Sequence, residues 1–367
     1  MADLEDLPIR DDLRGLTPYG APQKHVRYAL NVNENTHAIP EPVARHIVES
    51  LAAAVLTINR YPDREFTALR EALAGYLGHG LTPERIWAAN GSNEVIQQLL
   101  QAFGGPGRSV LGFPPTYSMH SIIAQGTGTR WLTAERDAAY TLSPETVVAA
   151  IEREQPDLVF LCAPNNPTGT PVPIETIEAA YDATRGILFV DEAYAEFMPA
   201  GTPSALTLLD GRERLVVSRT MSKAFAFAGA RVGYLAANPG VIDALRLVRL
   251  PYHLSALTQA EAVAALAHAP EMLAMVDDIS EQRDRLLAEL PVLGFRAFDS
   301  QANFVLFDGV TDPAATFGAL LERDILIRDV GLPGALRVTA GTADETTAFL
   351  TALGDLGPGG APIDSPA

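Results

Sequence analysis

The segment Val217-Ser218-Arg219-Thr220-Met221-Ser222-Lys223 decides the fold, because an apolar run ends there in hydroxyl side chains and a lysine. The sequence contains only two lysines among its 27 basic side chains, and the other is Lys24 in a polar stretch. Lys223 is followed by Ala-Phe-Ala-Phe-Ala-Gly, an apolar setting in which an ammonium group is costly without a role. Because guanidinium does not release its proton, Lys223 is the candidate for chemistry that needs a titratable amine.

Composition limits the class of protein around this segment. The chain has 367 residues, of which 47% are hydrophobic, so it is long enough for one large or two ordinary globular domains. Its net charge of −18 argues against a nucleic-acid binder, since no basic stripe is present to neutralise phosphates. Any anionic small ligand must therefore be held by locally placed arginines, helix N-termini and backbone N–H groups.

Cysteine and histidine usage excludes further classes of site. The single Cys162 excludes an intrachain disulfide, and no Cys/His cluster or HExxH motif predicts a metal site. The acidic N-terminal sequence is unlike a signal peptide, and no apolar run approaches the roughly 20 residues needed to span a bilayer. The sequence therefore predicts a soluble cytoplasmic protein without a metal, a membrane or a nucleic-acid partner.

Short apolar runs and helical patterns alternate through the first two thirds of the chain. Continuous apolar runs predict buried strands at 158–163, 187–190 and 215–217, and apolar residues at helical spacing predict helices at 43–55 and 66–77. Such runs with intervening helices indicate an α/β fold with a mainly parallel sheet covered by helices on both faces. In such sheets, ligands bind beyond the carboxyl ends of the strands.

The pattern changes near Leu257 and predicts a smaller α+β domain. Two long helical segments, 257–268 and 272–290, precede short strands at 304–307, 325–328 and 336–339. We therefore expect four parts: an N-terminal segment 1–40, a large domain 41–256, a small domain 257–356 and a disordered tail 357–367.

Polar residues follow each predicted strand of the large domain, and each has an ordinary structural explanation when taken alone. Ser92 and Asn93 open a helix after one strand and are common caps, while Tyr117 after another strand is more often a packing residue. Asp191 ends an apolar strand, where a structural salt bridge is about as frequent as a functional role. The segment 161–169 around Asn166 is more specific, because its prolines hold the amide rigidly at a strand exit.

Taken together, these residues predict one ligand. A phosphate, a flat ring, a phenolic oxygen, a basic ring nitrogen and an aldehyde that forms a Schiff base with lysine are the features of pyridoxal 5′-phosphate (PLP). The phosphate is assigned to Ser92, Asn93, Thr220, Ser222 and Arg231, and the flat ring to Tyr117. The phenolic oxygen is assigned to Asn166 and Tyr194, the ring nitrogen to Asp191 and the aldehyde to Lys223.

The chain resembles the fold type I PLP-dependent aminotransferases and, within them, the histidinol-phosphate aminotransferase family in its actinobacterial form. The resemblance covers nearly the whole chain. It is carried by segments 13–20, 30–35 and 60–63, the Asn-Pro-Thr-Gly turn at 166–169, and segments 191–194, 222–225, 300–304 and 327–330. It implies the fold type I architecture and transamination between L-histidinol phosphate and 2-oxoglutarate, a step of histidine biosynthesis.

The resemblance also implies roles that spacing alone does not indicate. Tyr61 is expected to reach the cofactor phosphate of a partner subunit, which implies a homodimer in which segment 1–40 packs on the small domain and on the partner. Arg337 is expected to bind the α-carboxylate of substrates such as glutamate, and Arg328 the phosphate of histidinol phosphate. Tyr19 and Tyr252 are expected to line the substrate pocket.

Other functions remain open at the level of sequence. An aromatic amino-acid aminotransferase shares nearly all these residues, and threonine-phosphate decarboxylase uses the same fold for a different reaction. A PLP-dependent transcription regulator would need a DNA-binding domain, for which the sequence before Leu30 leaves no room. A Rossmann dehydrogenase is disfavoured because no GxGxxG motif follows a strand.

Overall fold

The computed structural model describes residues 6–358 and is built around a seven-stranded sheet. In chain order its strands are β2 (Ile86–Asn90), β3 (Ser109–Gly112), β4 (Arg130–Thr133), β5 (Leu158–Cys162), β6 (Ile187–Asp191), β7 (Leu215–Thr220) and β8 (Val232–Ala237). The spatial order is β2-β8-β7-β6-β5-β3-β4. Every residue of β5, β6 and β8 is buried, as expected for strands with helices on both faces.

Six of the seven strands run parallel, and β8 runs antiparallel to both of its neighbours. The predicted runs 158–163, 187–190 and 215–217 correspond to β5, β6 and β7, and the strands predicted before Ser92 and Tyr117 are β2 and β3; the patterns do not predict β8. The connection from β7 to β8, residues 221–231, is too short for the crossover that a parallel strand needs, so the chain turns back. This turn brings the start of β8 to the edge where the parallel strands end.

Helices surround this sheet within the described residues. The predicted helix 43–55 is confirmed as α1 (Glu41–Val55), and 66–77 is confirmed as α2 (Thr67–Leu77). Ser143 caps the helix that begins at Pro144, accepting a hydrogen bond from the Thr146 amide at 3.2 Å. The remaining helices up to residue 248 are α3 (Ser92–Phe103), α4 (Ser118–Gly126), α5 (Pro144–Glu154), α6 (Ile174–Ala183) and α7 (Pro239–Val248).

A second group of elements follows residue 255. Helices α8 (Ala256–Leu266) and α9 (Ala269–Val292) confirm the two predicted long helical segments, and α10 (Pro313–Leu321) and α11 (Ala343–Leu356) follow them. Strands β9 (Arg296–Ala297), β10 (Phe304–Asp308) and β12 (Ala335–Thr339) form an antiparallel sheet in the order β12-β10-β9.

The N-terminal segment reaches this second group through a strand pairing. Strand β1 (Tyr28–Ala29) pairs in parallel with β11 (Ile325–Leu326). Strand β11 is shorter than the strand predicted at 325–328. Of the predicted disordered tail, residues 359–367 lie outside the described part of the chain, and the division into domains stays a prediction. No helix in residues 6–358 is long and apolar enough to cross a membrane.

Candidate active site

A cavity of about 520 Å³ lies at the edge of the large sheet where its parallel strands end. This volume is typical of sites that hold a small molecule or cofactor. Thirteen of the fifteen predicted site residues line it: Tyr19, Ser92, Asn93, Tyr117, Asn166, Asp191, Tyr194, Thr220, Ser222, Lys223, Arg231, Arg328 and Arg337. Those that follow the strands of the large sheet converge because parallel strands end at the same edge of a sheet, as the sequence patterns predict.

Lys223 lies in the turn after β7 with its amine in the cavity. Its Nζ donates a hydrogen bond of 2.9 Å to the carbonyl oxygen of Val32 on the N-terminal segment. The pKa of Lys223 is lowered to about 8, mainly by burial and also by Arg337 and Arg231, against the opposing effect of Glu34. An amine with this pKa is partly deprotonated near neutral pH and can act as a nucleophile or a base.

We predict that the pH dependence of amine labelling distinguishes the two lysines. In the chain without bound ligand, trace labelling with acetic anhydride followed by mass spectrometry should show half-maximal reactivity of Lys223 near pH 8. The sign follows from the chemistry, because the reactive form is the deprotonated amine and it appears only above the pKa. Lys24 is exposed and serves as the reference within the same sample. If the pH of half-maximal labelling were as high for Lys223 as for Lys24, or higher, the assignment of Lys223 as the amine of lowered pKa would be wrong.

Asp191 ends β6 as a carboxylate that is only 1% exposed, and two side chains donate hydrogen bonds to it. His120 Nε2 lies 3.0 Å from Oδ2, and Ser218 Oγ donates to Oδ1 at 3.2 Å. Since an ionised carboxylate only accepts, the His120 proton lies on Nε2. The Asp191 carboxylate is therefore held in one orientation in the wall of the cavity.

His120 is a site residue that was not among those predicted from the sequence. It lies on α4, three residues after Tyr117, and its ring meets the Tyr117 ring edge-on at 5.4 Å. The signal was present in the sequence, because positions three apart at the start of a helix share a face. A buried histidine is more often a core residue, however, and only the fold shows that it contacts Asp191.

An ion pair on the opposite face holds the ends of β6 and β7 together. Arg219 donates to Glu192 Oε2 through Nε at 3.1 Å and Nη2 at 2.9 Å, and Ser204 Oγ donates to the same oxygen at 2.7 Å. Side chains alternate along a strand, so Arg219 points away from the cavity, whereas Thr220 lines it and Ser218 contacts Asp191. The pair thereby stabilises the strand ends that carry the site.

The N-terminus of α3 and the turn around Lys223 form an anion-binding corner. The first N–H groups of a helix have no partner within it and attract anions. The Arg231 guanidinium packs so closely on Gly91 that a Cβ at position 91 would collide with it. Thr220 and Ser222 share a hydrogen bond of 2.9 Å between their hydroxyl oxygens. Backbone donors, hydroxyls and one cation therefore face the same part of the cavity.

Asn166 and Tyr194 connect this cavity to an arginine on β12. Asn166 Nδ2 donates to the Tyr194 hydroxyl oxygen at 3.2 Å, and Arg337 Nη1 donates to Asn166 Oδ1 at 2.6 Å. Burial lowers the pKa of Arg337 to about 10, so the guanidinium remains charged at neutral pH. Its Nε is buried without a hydrogen-bond partner in the described structure, which leaves a donor for an anionic ligand.

Arg328 lies beside Arg337 because their backbones pair across an antiparallel bridge. The Arg328 amide donates to the Arg337 carbonyl at 3.0 Å, and the reverse bond is 2.9 Å long. The Arg328 guanidinium lies 5.9 Å from the centre of the Tyr19 ring on the N-terminal segment. Two cations and an aromatic ring thus border the same side of the cavity.

Two predicted residues, Tyr61 and Tyr252, do not line this cavity. Their rings stack on each other with centres 4.4 Å apart, and Tyr61 is 81% exposed. They lie on an exposed surface of the chain, and the predicted role of Tyr252 in the substrate pocket stays a prediction. Conversely, Asn31 and Asn33 line the cavity although no role was predicted for either; both lie within segment 30–35, which carries part of the family resemblance.

Comparisons with known proteins identify the family of the chain. The model of the family described as aminotransferase class I and II matches residues 28–353. A histidinol-phosphate aminotransferase of Paenarthrobacter aurescens is 59% identical, covering 98% of this chain and 97% of that protein. One from Thermobifida fusca is 55% identical, covering 95% of each chain.

Solved structures agree with the fold as well. The structure of histidinol-phosphate aminotransferase from Sinorhizobium meliloti in complex with pyridoxal 5′-phosphate is similar with a TM-score of 0.84 and 25% identity, covering 95% of this chain and 97% of that chain. An aspartate aminotransferase from Thermus thermophilus, at 24% identity, shares the fold with a TM-score of 0.76 over 90% of this chain and 91% of its own. The chain therefore belongs to the class I and II aminotransferases and, within them, to the histidinol-phosphate aminotransferase family.

Proposed function

We propose that the chain catalyses PLP-dependent transamination between L-histidinol phosphate and 2-oxoglutarate, giving imidazole-acetol phosphate and glutamate for histidine biosynthesis. One observation carries the proposal: a single cavity contains a lysine of lowered pKa, a buried aspartate and a pair of adjacent arginines. The high identity to histidinol-phosphate aminotransferases over nearly the full length supports the choice of substrates.

The residues present fit PLP. Asp191 is a buried carboxylate that faces the cavity and is held by two donors, as a partner for a positively charged ring nitrogen requires. The anion-binding corner around Arg231 suits the phosphate, and the Tyr117 ring suits the flat ring of the cofactor. Asn166 and Tyr194 are polar groups available to the phenolic oxygen, and Lys223 to the aldehyde.

Three groups of this chain perform the chemistry in this proposal. When bound, PLP supplies a reactive aldehyde and a ring that withdraws electrons from the substrate. Asp191 keeps the ring nitrogen protonated, because its negative charge stabilises the positive form. Lys223 Nζ would remove the proton from the amine-bearing carbon of the substrate and, as the ammonium form, would deliver it to the aldehyde carbon of the cofactor. A pKa of about 8 allows both forms to be populated at neutral pH.

The paired arginines account for two anionic substrates in one pocket. Histidinol phosphate carries a phosphate and 2-oxoglutarate carries two carboxylates, and a guanidinium binds either group through two parallel hydrogen bonds. Arg337 is assigned to the α-carboxylate and Arg328 to the substrate phosphate. Tyr19, whose ring is next to Arg328, lines the same cavity and is 53% exposed.

A homodimer completes the proposal. Apolar side chains are exposed on α1, on the residues after it and at the end of α7, and the stacked pair Tyr61 and Tyr252 is exposed as well; those more than half exposed, apart from Tyr61, are Val48, Val55, Leu56, Ile58, Leu247 and Leu250. Exposed apolar side chains in such numbers are typical of a protein interface. Tyr61 then reaches the cofactor phosphate of the partner subunit, and Tyr252 lies beside it at the partner's pocket. Sedimentation analysis of the purified chain measures this assembly.

The cytoplasm is the proposed compartment. The chain contains a single cysteine, Cys162, which is buried and free, so no structural disulfide calls for an oxidising environment. Fractionation of cells that express the chain measures its location.

Competition between substrates tests the proposed function. With 2-oxoglutarate as acceptor, kcat/KM for histidinol phosphate should exceed that for phenylalanine at least about tenfold, since the phosphate adds a charge-assisted contact. Threonine phosphate should not release carbon dioxide. A wide preference for phenylalanine would support an aromatic aminotransferase instead, and decarboxylation of threonine phosphate a lyase. As a matched control, Arg328→Gln should lower kcat/KM for histidinol phosphate more than for phenylalanine.

A further inference from the structure

Asn33 is a buried polar residue with a left-handed backbone at the wall of the cavity. Its φ is +56° and it is 2% exposed. Its backbone N–H donates to Thr339 Oγ1 at 3.0 Å, and its backbone carbonyl accepts from Asn303 Nδ2 at 3.0 Å. A non-glycine residue in this region of φ persists when its surroundings hold it there. Asn33 is therefore held rigidly between β12 and the segment before β10.

The Asn33 side chain ends on the hydroxyl oxygen of Tyr194. Asn33 Nδ2 donates to that oxygen at 2.9 Å, and Asn166 Nδ2 donates to it at 3.2 Å. Arg337 fixes the orientation of Asn166, because a guanidinium only donates and it bonds Oδ1. Thr339 Oγ1 donates to Asn33 Oδ1 at 3.3 Å and directs Nδ2 towards Tyr194.

Two N–H donors on one phenol oxygen determine where its own proton goes. The oxygen accepts from Asn33 and Asn166, so the O–H remains available as a donor, and Tyr194 lines the cavity. Accepting hydrogen bonds also makes a hydroxyl a stronger donor, because bonds in a chain polarise one another. The other groups that act on Tyr194 electrostatically are Arg337, Tyr117 and Cys162.

We propose that Asn33 is a positioning residue that directs the Tyr194 hydroxyl proton into the cavity, towards the phenolic oxygen of PLP. This inference rests on the proposed function, since it concerns the cofactor named there. The phenolic oxygen and the nitrogen of Lys223 share one proton in the lysine-linked cofactor. A donor to the oxygen weakens its hold on that proton. Loss of the Tyr194 donor therefore raises the pH at which the proton leaves.

The test is the substitution Asn33→Asp in the holoenzyme. The aspartate has nearly the same shape but accepts where the amide donates, so it draws the Tyr194 proton away from the cofactor. The midpoint of the visible absorbance change with pH should rise by about one pH unit, the equivalent of one hydrogen bond. If Asn33 instead accepted from Tyr194, the substitution would shift the midpoint by no more than the charge effect, less than about a third of a unit, and this would overturn the proposal.

A second background separates the hydrogen bond from the added charge. In the Tyr194→Phe variant, Asn33→Asp should shift the midpoint by less than about a third of a unit, because only the charge effect remains. An equal shift in both backgrounds also overturns the proposal. Asn33→Gly keeps the left-handed backbone and removes the donor, so it should raise the midpoint by a smaller amount; a fall would count against the proposal.

The same titration distinguishes this inference from the function on which it rests. If the unchanged chain loaded with PLP shows no visible absorbance band, the proposed function fails. If it shows the band and a normal titration while the Asn33 variants titrate identically, only the role of Asn33 fails. Thermal denaturation of each variant verifies that the comparison is made between folded proteins.

Discussion

Replacing Lys223 with alanine is expected to abolish the visible absorbance of the lysine-linked cofactor and to lower kcat for transamination by about 10³- to 10⁴-fold. Two functions are lost together, since the same amine links the cofactor and transfers the proton. The structure contains no substitute, because the only other lysine, Lys24, is exposed and does not line the cavity. Absorbance spectra and single-turnover assays with histidinol phosphate measure both losses.

Two arginine substitutions sharpen this prediction. Lys223→Arg keeps the positive charge but not an amine that loses its proton, so it should be as inactive as Lys223→Ala. Lys24→Arg is the matched control and should retain full activity. Turnover in Lys223→Arg comparable to that of the unchanged chain would show that charge, and not the amine, is required, and the assignment of Lys223 would be wrong.

Replacing Asp191 with asparagine is expected to lower kcat by about 100-fold, the value of one hydrogen bond between charged groups. The amide has nearly the same shape, but it has no charge to keep the ring nitrogen protonated. The carboxylate accepts hydrogen bonds from His120 and Ser218, and the amide of the variant would place an N–H group against one of these two donors. The residual activity should depend on pH differently, because without the negative charge the ring nitrogen loses its proton at a lower pH.

Steady-state kinetics and cofactor spectra across pH measure the effect of Asp191→Asn. Ser218→Ala is the matched comparison, since it removes one donor to Asp191 and keeps the carboxylate. It should lower kcat much less than Asp191→Asn does. If Asp191→Asn folds, binds PLP and retains kcat within about twofold, the buried carboxylate is not the partner of the ring nitrogen.

Much of this site could be predicted from sequence, because parallel strands place their carboxyl ends at one edge. Asn166, Asp191 and Lys223 each follow an apolar run, and all three line the cavity. Arg231 was also predicted, although the reason for its position lies in β8, whose antiparallel course the patterns did not indicate. A single apolar run looks the same whichever direction the strand takes.

Other features depend on contacts between distant segments, which local patterns do not record. His120 contacts Asp191, 71 positions away, and Asn33 contacts Tyr194 at a separation of 161. The family resemblance names Tyr61 and Tyr252 and already assigns Tyr61 to the partner's site. The stacking of Tyr252 on Tyr61, outside the cavity, follows only from the packing of their segments.

The sequence alone determined that the chain is an α/β protein with one reactive amine among strand-end polar residues, because hydrophobic periodicity and residue type are local properties. The tertiary structure decided which of those residues share a cavity and which lie on the surface. It also decided which side chains orient Asp191 and Tyr194. These are properties of pairs that only the folded chain brings within hydrogen-bonding distance.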